Sequence, residues 1–563
     1  METLHKKISS NLWVFILALL AFPFALSLGT SGYDAPIHMF FGDHYVRSWF
    51  DLWDPRWYNG FTVASYPPLA HQLLAILELT SGKPTLSYAL LSSISIALYA
   101  YALARYSNLF LGRRVSILGS IASILAPATM ISFLIYGHLT TILSTALTFL
   151  SFTMFIEYAK RGRHLNLLAS SLLASASIYS HHFTALVFSP ILFITTISHL
   201  WLNDKMRSSR FLVQILQFLS LTATFSLGIY PFVEFALNAP TQAEIPHWSR
   251  YPLNPDYLQF SICYSLITYG LIAASILRLV LRGRELKPLA SLIATTILLA
   301  ALSLGLSTPL PQLLFQGLSK WLTYERFSFW ATPLSVILLL RSITSNPRKI
   351  STQLAVILLI ILFIGLATVS AIVYLKLGAW MRGYVPTYTS QSSLNRTCIR
   401  AIAQFLHENC REGCRYLTLG FSTKASEISI LSNARTIDGF YPTARRDPLL
   451  TQSGVESLDS AIYWSNGLEV LDRVLSKADS YGLKYVIVRE HYEEYSEILE
   501  AHGYRPDRQI CDASIWINSH VDPIESKSSG GGLSIGSLLW GVMPLATLSI
   551  GMSLMIADEL KES

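Results

Sequence analysis

Charged residues are scarce in this chain. They make up 14% of its 563 residues, whereas a soluble domain carries about 25%. Hydrophobic residues make up 52%, and the mean hydropathy is +0.43. These values exclude a disordered chain and an ordinary soluble protein. The apolar residues form blocks of about 20, long enough to cross a bilayer core of about 30 Å as helices. The composition therefore predicts a polytopic membrane protein.

Several well-known catalytic motifs are also absent from the sequence. It contains no Walker A loop, no HExxH and no GxSxG. No charged residue stands in the middle of an apolar block, where proton-coupled carriers often place one. No internal repeat marks the inverted halves typical of many transporters. The sequence therefore offers no support for a P-loop NTPase, a zinc protease of that type or a serine hydrolase.

Cysteine is rare, with five residues in the chain. Cys263 stands in an apolar block, while Cys398, Cys410, Cys414 and Cys511 share one polar stretch. Four thiols outside the cytoplasm allow three disulfide pairings, which the sequence leaves open. The Cys410-x3-Cys414 spacing lacks a second ligand pair, so a bridge is favoured over a zinc site.

Twelve apolar stretches follow one another along the chain. The first is interpreted as a retained helix and not as a signal peptide, because it is long and no convincing cleavage site follows it. The predicted spans are Asn11–Thr30, 84–106, 115–135, 139–159, 165–180, 183–202, 211–231, 258–280, 288–307, 327–341, 350–376 and 533–556.

The net charge of +7 concerns topology and does not indicate a nucleic-acid partner. Residues 1–376 hold 25 Lys and Arg against 13 Asp and Glu, while residues 377–529 hold 16 against 19. The basic clusters between spans fall on the side of the N-terminus, which is the cytoplasmic side by the positive-inside rule. The pattern predicts a multi-pass protein of the plasma membrane with both termini in the cytoplasm.

Three regions follow from this topology. Residues 1–376 form the transmembrane region with a long exterior loop, 31–83, in which 68–80 is a short interfacial helix. Residues 377–529 form an exterior domain, and 530–563 form a last span with a short cytoplasmic tail. Alternating elements in 377–529 predict a small α/β module. The predicted strands are Tyr416–Gly420, Tyr485–Val488 and one near Ile515, and the predicted helices are Val470–Tyr481 and Glu493–Ala501.

The first exterior loop carries the most informative polar residues. Asp34 follows the first span directly, His38 comes four residues later, and Asp43 lies further along the same predicted helix. An Asp before Ala-Pro is a common helix start, in which the carboxylate caps backbone N–H groups and its pKa falls. The alternative is a carboxylate at the membrane surface that acts in a site. The residues alone favour the cap.

Further polar residues mark the exterior ends of spans. His138 and the pair His181 and His182 stand where little else is polar, and each is either an interfacial histidine or part of a site. Glu325 and Arg326 open the tenth span. They form either a local ion pair or a site in which the Arg fork binds a phosphate.

The first loop resembles a known family. It opens with G-x-D-x-P-x-H from Gly32 and continues with PRWYNG from Pro55 and YPPL from Tyr66. These elements resemble membrane proteins labelled "6-pyruvoyl-tetrahydropterin synthase-related", and more broadly the GT-C superfamily of integral-membrane glycosyltransferases. The resemblance implies a mostly α polytopic fold with about twelve transmembrane helices and a small extracytoplasmic α/β domain. Pterin-synthase chemistry itself is not expected, because the clustered zinc-binding histidines are missing.

The resemblance also implies roles for residues. Asp34 would be the general base for an acceptor hydroxyl, or the ligand of a divalent cation such as Mg²⁺ or Mn²⁺. Arg326, beside Glu325, would bind the phosphate of a polyprenyl-phosphate-linked sugar. His38 and Asp43 would orient the acceptor. His138, His181 and His182 would line the cavity. The reaction would invert the anomeric centre.

Partners and alternatives complete the prediction. The implied partners are the lipid-linked donor, the bilayer and an unknown acceptor glycan or protein. The tryptophan-and-acid acceptor motif of oligosaccharyltransferases is missing from the exterior domain, so transfer of a single sugar fits better than transfer of an oligosaccharide. The main alternative is a non-catalytic membrane protein whose exterior domain binds a partner or a surface polymer. A transporter is disfavoured, because the polar groups gather at one face of the membrane.

Overall fold

The structure, a computed structural model, describes most of the chain. The described residues are 2–203, 209–282, 286–344, 395–410, 413–489, 493–524 and 533–561, together with 354, 357, 359–365, 367, 368 and 372. Most of the predicted span 350–376 and the start of the predicted exterior domain at 377–394 lie outside the described residues.

Helices dominate the described residues. Those before residue 345 are α1 (Glu2–Ser27), α2 (Ala35–Arg47), α3 (Leu69–Ser81), α4 (Pro84–Ser107), α5 (Arg113–Ile124), α6 (Pro127–Ile131), α7 (Leu139–Arg161), α8 (His164–Ser180), α9 (Ser189–Asn203), α10 (Ser209–Phe225), α11 (Tyr230–Asn238), α12 (Pro255–Arg282), α13 (Leu286–Leu302), α14 (Leu310–Phe315) and α15 (Glu325–Thr344). Those after residue 394 are α16 (Arg396–Asn409), α17 (Ala425–Ser432), α18 (Pro448–Thr451), α19 (Gly467–Leu475), α20 (Ala478–Tyr481), α21 (Glu493–Ala501) and α22 (Ile535–Lys561).

Five described segments are long and apolar enough to cross a membrane. They are Trp13–Ser31, Pro84–Ser107, Leu139–Arg161, Thr184–Leu202 and Ile535–Lys561. Two broken pairs raise the number to seven if each pair is one span; these are Arg113–Ile124 with Pro127–Tyr136, bent by 55°, and Phe211–Phe225 with Leu227–Asn238, bent by 45°. The mostly helical membrane fold is confirmed, and the number twelve stays a prediction.

Helix α7 lies at the centre of the bundle, buried along its apolar length between α4 and α8. Its contact with α8 is built from small hydroxyl residues. The Ser144 hydroxyl donates to the Ser177 carbonyl at 2.9 Å, and Ser151 donates to the Ser170 carbonyl at 2.8 Å. Small side chains let helices approach closely inside a membrane, and hydroxyl bonds then join them. This packing holds the exterior end of α7 in a fixed position.

The first exterior loop forms two helices, α2 and α3, which pack against each other. The helix predicted at 68–80 is present as α3, and its interfacial position stays a prediction. The two helices cross closely at Gly42, where a Cβ atom would lie 2.9 Å from the Cβ of Leu74. A larger residue there would push the helices apart.

The last helix, α22, returns from the exterior domain and packs against α8 and the first loop. The Trp540 indole donates to the Tyr45 hydroxyl at 2.7 Å, and the Gln72 amide donates to the Trp540 carbonyl at 3.0 Å. At the opposite end of α22, Asp558 pairs with Arg163 at 3.1 Å. The final span therefore clamps the loop helices onto the bundle.

The region after residue 394, which the sequence predicts to be exterior and which keeps the name exterior domain below, contains a five-stranded mixed sheet in the order β4-β3-β5-β7-β6. The strands are β3 (Arg415–Leu419), β4 (Arg435–Thr436), β5 (Leu483–Val488), β6 (Arg505–Ile510) and β7 (Ala513–Ile517). Strand β3 pairs in parallel with β4 and β5, whereas β7 pairs antiparallel with β5 and β6. The predicted α/β module is confirmed, and β6 is a strand that the sequence pattern missed.

Both faces of this sheet are buried. Leu417 and Leu419 of β3 face one apolar cluster, and Tyr416 faces the other, as the two-residue period of a strand requires. Disulfides join Cys398 to Cys511 and Cys410 to Cys414. The bridge between Cys410 and Cys414 confirms the preference for a disulfide over zinc.

The PRWYNG motif joins the first loop to the exterior domain. It lies in the short hairpin formed by β1 (Trp53–Asp54) and β2 (Phe61–Thr62). Arg56 is buried between Asp43 and Asp54, and the Trp57 indole donates to Ser429 of the exterior domain at 3.1 Å. Gly60 has a φ of +106°, a backbone conformation that glycine tolerates best. The PRWYNG motif therefore joins the first loop to the domain after residue 394, and together with its partner Asp43 it is called the docking element below.

Candidate active site

Asp34 is placed by a backbone contact between the first loop and the broken span before α7. The Tyr33 amide donates to the Ile135 carbonyl at 2.9 Å, and the Asp34 amide donates to the Tyr136 carbonyl at 2.8 Å. The segments approach so closely that a Cβ on Gly137, which has a φ of +74°, would lie 3.0 Å from the Ala35 nitrogen. This contact fixes the start of α2 beside the exterior end of α7.

The Asp34 carboxylate does not cap helix α2. Its side chain makes no capping hydrogen bond, although Asp34 occupies the N-cap position and Pro36 follows. The preference for the cap is therefore wrong. The side chain is 28% exposed, and its Oδ2 lies 3.9 Å from Nε2 of His138. A carboxylate released from the helix end is available to a bound molecule.

The surroundings of Asp34 alter its acidity. Burial raises its pKa, the positive charge of Arg326 opposes this, and the carboxylates of Glu456 and Glu325 add to the rise, so that the pKa moves from 3.8 to about 7. Desolvation and like charges both disfavour an anionic carboxylate. Asp34 is therefore poised to accept and release a proton near neutral pH.

Arg326 is the second residue of α15, and its charge acts on Asp34. Its guanidinium is 16% exposed, lies 3.5 Å from Oε1 of Glu325 and stands 5.7 Å above the ring of Phe183. It also donates to the hydroxyls of Thr141, at 3.4 Å, and Thr323. The local ion pair of Glu325 and Arg326 is therefore present, and the phosphate-binding role of Arg326 stays a prediction.

Several histidines surround Arg326, and burial keeps them neutral. Burial, with the charge of Arg326, lowers the pKa of His38 to about 3 and that of His182 to about 4. The same two causes lower the pKa of His138 and His181 well below the usual value. At pH 7 these rings present one N–H donor and one acceptor nitrogen each, without charge.

The histidines differ in how far their hydrogen bonds are satisfied. His181 is engaged through Nδ1 by the hydroxyl and the backbone amide of Thr184. His38 shares a 3.0 Å hydrogen bond through Nδ1 with His71. Among the described residues, Nε2 of His38, Nδ1 of His138, Nδ1 of His182 and Oε2 of Glu325 are buried without a hydrogen-bond partner. Buried polar atoms of this kind require an explanation, and a bound polar molecule supplies one.

Asp43 is not brought to this cluster. It lies nine residues beyond Asp34 on α2, about 13 Å along the helix. Its carboxylate accepts from Arg47 at 2.6 Å and from Arg56. Arg47 in turn donates to the Ile430 carbonyl of the exterior domain at 2.9 Å. The structure therefore separates Asp43 from Asp34, His38, His138, His181, His182, Glu325 and Arg326, and places it in the docking element.

The residues near Asp34 do not fit the predicted divalent cation. Within the part of the chain that the structure describes, no group of three or more His, Cys, Asp or Glu is placed to hold a metal ion. Of the described histidines, His138 has a contact with Asp34, at 3.9 Å. The metal stays a prediction from the resemblance, and no chemical step is derived through it.

The sequence analysis missed several residues of the site. Glu456, in the domain after residue 394, acts electrostatically on Tyr33 and Asp34 and raises the pKa of both groups, and the Tyr66 hydroxyl lies 2.8 Å from that of Thr140. Tyr66 also packs against Tyr441, with ring centroids 5.2 Å apart. No motif surrounds Glu456 in the sequence, so only the fold reveals its position.

Two π-helical segments lead into and out of the site. They are Ser132–Tyr136, just before His138, and Thr184–Phe188, just after His182. Such segments are rare and are frequent at functional sites, because the extra residue redirects neighbouring side chains. Hydrophobic patterning gives no sign of them.

Comparisons with known proteins agree with this architecture. The sequence model of a family described as "6-pyruvoyl-tetrahydropterin synthase related domain; membrane protein" matches residues 63–375. Among curated proteins, no relative matches the chain significantly.

Two solved structures show the same fold. ArnT from Cupriavidus metallidurans bound to undecaprenyl phosphate is 12% identical and covers 92% of this chain and 100% of its own, with a TM-score of 0.51. The arabinofuranosyltransferase AftD from Mycobacteria is also 12% identical, with a TM-score of 0.52; the match covers 90% of this chain and 40% of AftD. At this identity the likeness shows the fold alone, and the predicted GT-C fold is confirmed.

Proposed function

This chain belongs to the family of 6-pyruvoyl-tetrahydropterin synthase related membrane proteins, and we propose that it transfers a sugar from a polyprenyl-phosphate carrier to an acceptor hydroxyl. The observation that carries the proposal is the state of Asp34, an uncapped, reachable carboxylate with a pKa near 7 that lies within the electrostatic influence of Arg326. A general base and a phosphate-binding cation are the two groups that this reaction requires.

The reaction divides between these two residues. The acceptor hydroxyl attacks the anomeric carbon of the donor sugar while its proton passes to the Asp34 carboxylate. The bond from the anomeric carbon to the phosphate oxygen breaks, and polyprenyl phosphate leaves with one more negative charge. Attack opposite the leaving group inverts the anomeric centre. Arg326 stabilises the added charge through its planar fork of N–H donors.

The neutral histidines suit the sugar itself. A neutral ring donates one hydrogen bond and accepts another, so it can bind hydroxyl groups without adding fixed charge. Nε2 of His38, Nδ1 of His138 and Nδ1 of His182 are buried and have no partner among the described residues. A sugar ring between Asp34 and Arg326 would satisfy them. The site therefore favours a donor rich in hydroxyl groups.

The fold supports the class of donor. ArnT is bound to undecaprenyl phosphate, and AftD is an arabinofuranosyltransferase. Lipid-linked donors also fit a site at the exterior face, because nucleotide sugars are made in the cytoplasm.

We infer that both termini lie in the cytoplasm, which is the orientation that the basic clusters predict. Labelling of an added cysteine at each terminus by a membrane-impermeant reagent tests this orientation, and labelling from outside would contradict it.

A transfer assay tests the function. The full-length protein in lipid nanodiscs is given polyprenyl-phosphate-linked sugars, and release of polyprenyl phosphate is measured. We expect Asp34→Asn to lower the turnover by about 10²- to 10⁴-fold, the usual contribution of a general base. Asp256→Asn is the matched control, because Asp256 is exposed at the start of α12. A folded Asp34→Asn protein that transfers sugar at the wild-type rate would contradict the assignment.

Two substitutions of Arg326 test its proposed phosphate-binding role. We expect Arg326→Ala to abolish measurable transfer and Arg326→Lys to restore part of it, because Lys keeps the charge but loses the fork. Equal activity of the wild type and Arg326→Ala would show that Arg326 serves only the local pair with Glu325. A folded wild-type protein that turns over no lipid-linked donor would favour a non-catalytic binding protein.

A further inference from the structure

The start of helix α16 carries a modification motif that the transfer reaction does not use. Asn395, Arg396 and Thr397 form the pattern N-x-S/T, in which an asparagine accepts an N-linked glycan. It is the one triplet of this kind in the sequence. Such a triplet also arises by chance, so its value depends on where the fold puts it and on which compartment it meets.

Asn395 is the N-cap of α16, and this role orients its carboxamide. The Asn395 Oδ1 accepts a hydrogen bond from the Thr397 amide at 3.0 Å, and the Asn395 backbone is extended. The cap uses the oxygen of the carboxamide, whereas an N-linked sugar is carried by the nitrogen, Nδ2. Capping and modification therefore occupy different atoms of one side chain, and the helix start is kept when a sugar is attached.

The motif is accessible in the folded chain. Asn395, Arg396 and Thr397 are all exposed. The buried face of α16 is formed by residues that follow the motif, among them Ile399 and Ile402. A bulky group on Asn395 therefore meets solvent and leaves the core of the exterior domain undisturbed.

The motif also lies at the far end of α16 from the docking contacts. At the other end, Nδ1 of His407 lies 3.2 Å from the Ser432 carbonyl, two residues after Ile430, which accepts from Arg47 of the first loop. Asn395 comes twelve residues before His407, which is about 18 Å along the helix axis. A glycan on Asn395 therefore leaves the contact with the first loop free.

Two disulfides indicate the compartment of this domain. They join Cys398 to Cys511 and Cys410 to Cys414, and Cys398 stands three residues after Asn395. Disulfides are typical of compartments outside the cytoplasm. The domain also contacts the first loop, which carries the candidate base, through the indole bond described above. Both features fit a domain on the face of the membrane where lipid-linked sugars are used.

We propose that Asn395 is the acceptor of an N-linked glycan, which a separate oligosaccharyltransferase attaches from a lipid-linked oligosaccharide. Nδ2 of Asn395 forms a bond to the anomeric carbon of the first sugar. The bond from that carbon to the lipid phosphate oxygen breaks, and one amide proton passes to a base of the oligosaccharyltransferase. The inference goes beyond the proposed transfer reaction, in which Asn395 takes no part, and rests on the proposed orientation of the protein.

Mass spectrometry of the full-length protein, purified from the membranes of its own organism, tests the site. Trypsin cuts after lysine and arginine and so releases residues 383–396 as one peptide that includes Asn395. We expect the mass of this peptide to exceed its sequence mass by whole sugar residues. The peptide 425–435 is the internal control, because Asn433 is exposed but has no hydroxyl residue two positions later. A peptide 383–396 found only at its sequence mass would overturn the inference.

Three variants separate an N-linked glycan from sugars on the serines and threonines of the same peptide. Thr397→Ala lies outside the peptide and should remove the added mass, whereas Thr397→Ser should keep it. Asn395→Asp should also remove it and keep the helix start, because aspartate caps as well as asparagine but has no amide nitrogen. Added mass that persists in Thr397→Ala or in Asn395→Asp would overturn the inference.

Failure of the inference can be told apart from failure of the proposed function. We expect Asn395→Asp to transfer sugar at the wild-type rate in the nanodisc assay. A protein that is unmodified at Asn395 but turns over lipid-linked donors would overturn the glycan and leave the transfer reaction standing. A protein that carries the glycan but turns over no donor would support the inference and overturn the proposed function.

Discussion

Replacement of Asp34 by asparagine should make the protein more stable while it removes activity. The change keeps the size of the side chain and removes a carboxylate that its surroundings disfavour. Burial and the neighbouring acids raise the pKa of Asp34 to about 7, whereas in the unfolded chain it returns to about 3.9. The folded state therefore holds the proton more tightly than the unfolded state.

The sign of the effect follows from this difference. The raised pKa gives stability that is fully present below about pH 4 and is lost as the pH rises to about 7. The asparagine of the variant stays neutral at every pH, so the stability of the variant relative to wild type increases between about pH 4 and pH 7. The shift of about 3 pKa units, at 1.36 kcal/mol per unit, gives about 4 kcal/mol at most. Because 28% of the side chain is exposed, we expect ~2 to 4 kcal/mol at pH 8.

The assay is thermal unfolding of wild type and Asp34→Asn in the same nanodiscs at pH 4.5, 6 and 8, followed by tryptophan fluorescence. Asp447→Asn is the matched control, because Asp447 stands before a proline and does cap its helix, accepting from the Leu449 amide at 2.9 Å. Asparagine caps about as well as aspartate, so this control should gain no stability at pH 8.

A capping role for Asp34 would give the opposite trend. A carboxylate stabilised by backbone N–H groups has a lowered pKa, so the wild type would gain stability as the pH rises. Two outcomes would refute the reasoning. One is an Asp34→Asn protein that is less stable than wild type at pH 8, and the other is a stability difference between variant and wild type that is the same at pH 4.5 and at pH 8.

Three further predictions concern the rest of the site and its support. Gly137→Ala should lower both the melting temperature and the transfer rate, because the added Cβ would lie 3.0 Å from the first backbone nitrogen of α2, and a Gly270→Ala control has open space. Arg56→Met should destabilise the protein by about 3–5 kcal/mol, because it removes the buried cation between Asp43 and Asp54 and leaves them only Arg47 and His44 as partners; limited proteolysis of residues 395–524 reads this out, and unchanged protection would contradict it. The transfer rate should rise about tenfold per pH unit below pH 7, where Asp34 becomes ionised, and a rate that is flat between pH 5 and 8 would exclude Asp34 as the base.

Much of the architecture could be predicted from the order of residues. Apolar blocks gave the helices, since a membrane span needs about 20 apolar residues whatever its neighbours are. Short apolar runs between turns predicted strands at 416–420, at 485–488 and near 515, and the structure has them at 415–419, 483–488 and 513–517. Strand β6 escaped because its residues are polar and exposed at the edge of the sheet. Hydrophobic patterning reveals strands whose side chains are buried, and the side chains of this edge strand are mostly exposed.

The candidate site could be predicted only in part. Asp34 and Arg326 stood out because a polar group is costly beside hydrocarbon. Asp43 looked equivalent in the sequence, yet it pairs with Arg56 from a hairpin 13 residues away. Glu456 looked unremarkable, yet its charge acts on Asp34 in the folded chain. Sequence neighbours do not reveal which distant cation or hydroxyl a carboxylate will meet.

The sequence by itself determined that this is a mostly helical membrane protein with a small α/β domain, because helix length and burial depend on local composition. Only the tertiary structure decided what the scarce polar groups do. The contact of Gly32–Asp34 with the broken span frees a carboxylate that local rules assign to a helix cap. Its acidity then depends on Arg326 and Glu456, which are hundreds of residues away in the chain, because electrostatic energy follows distance in space.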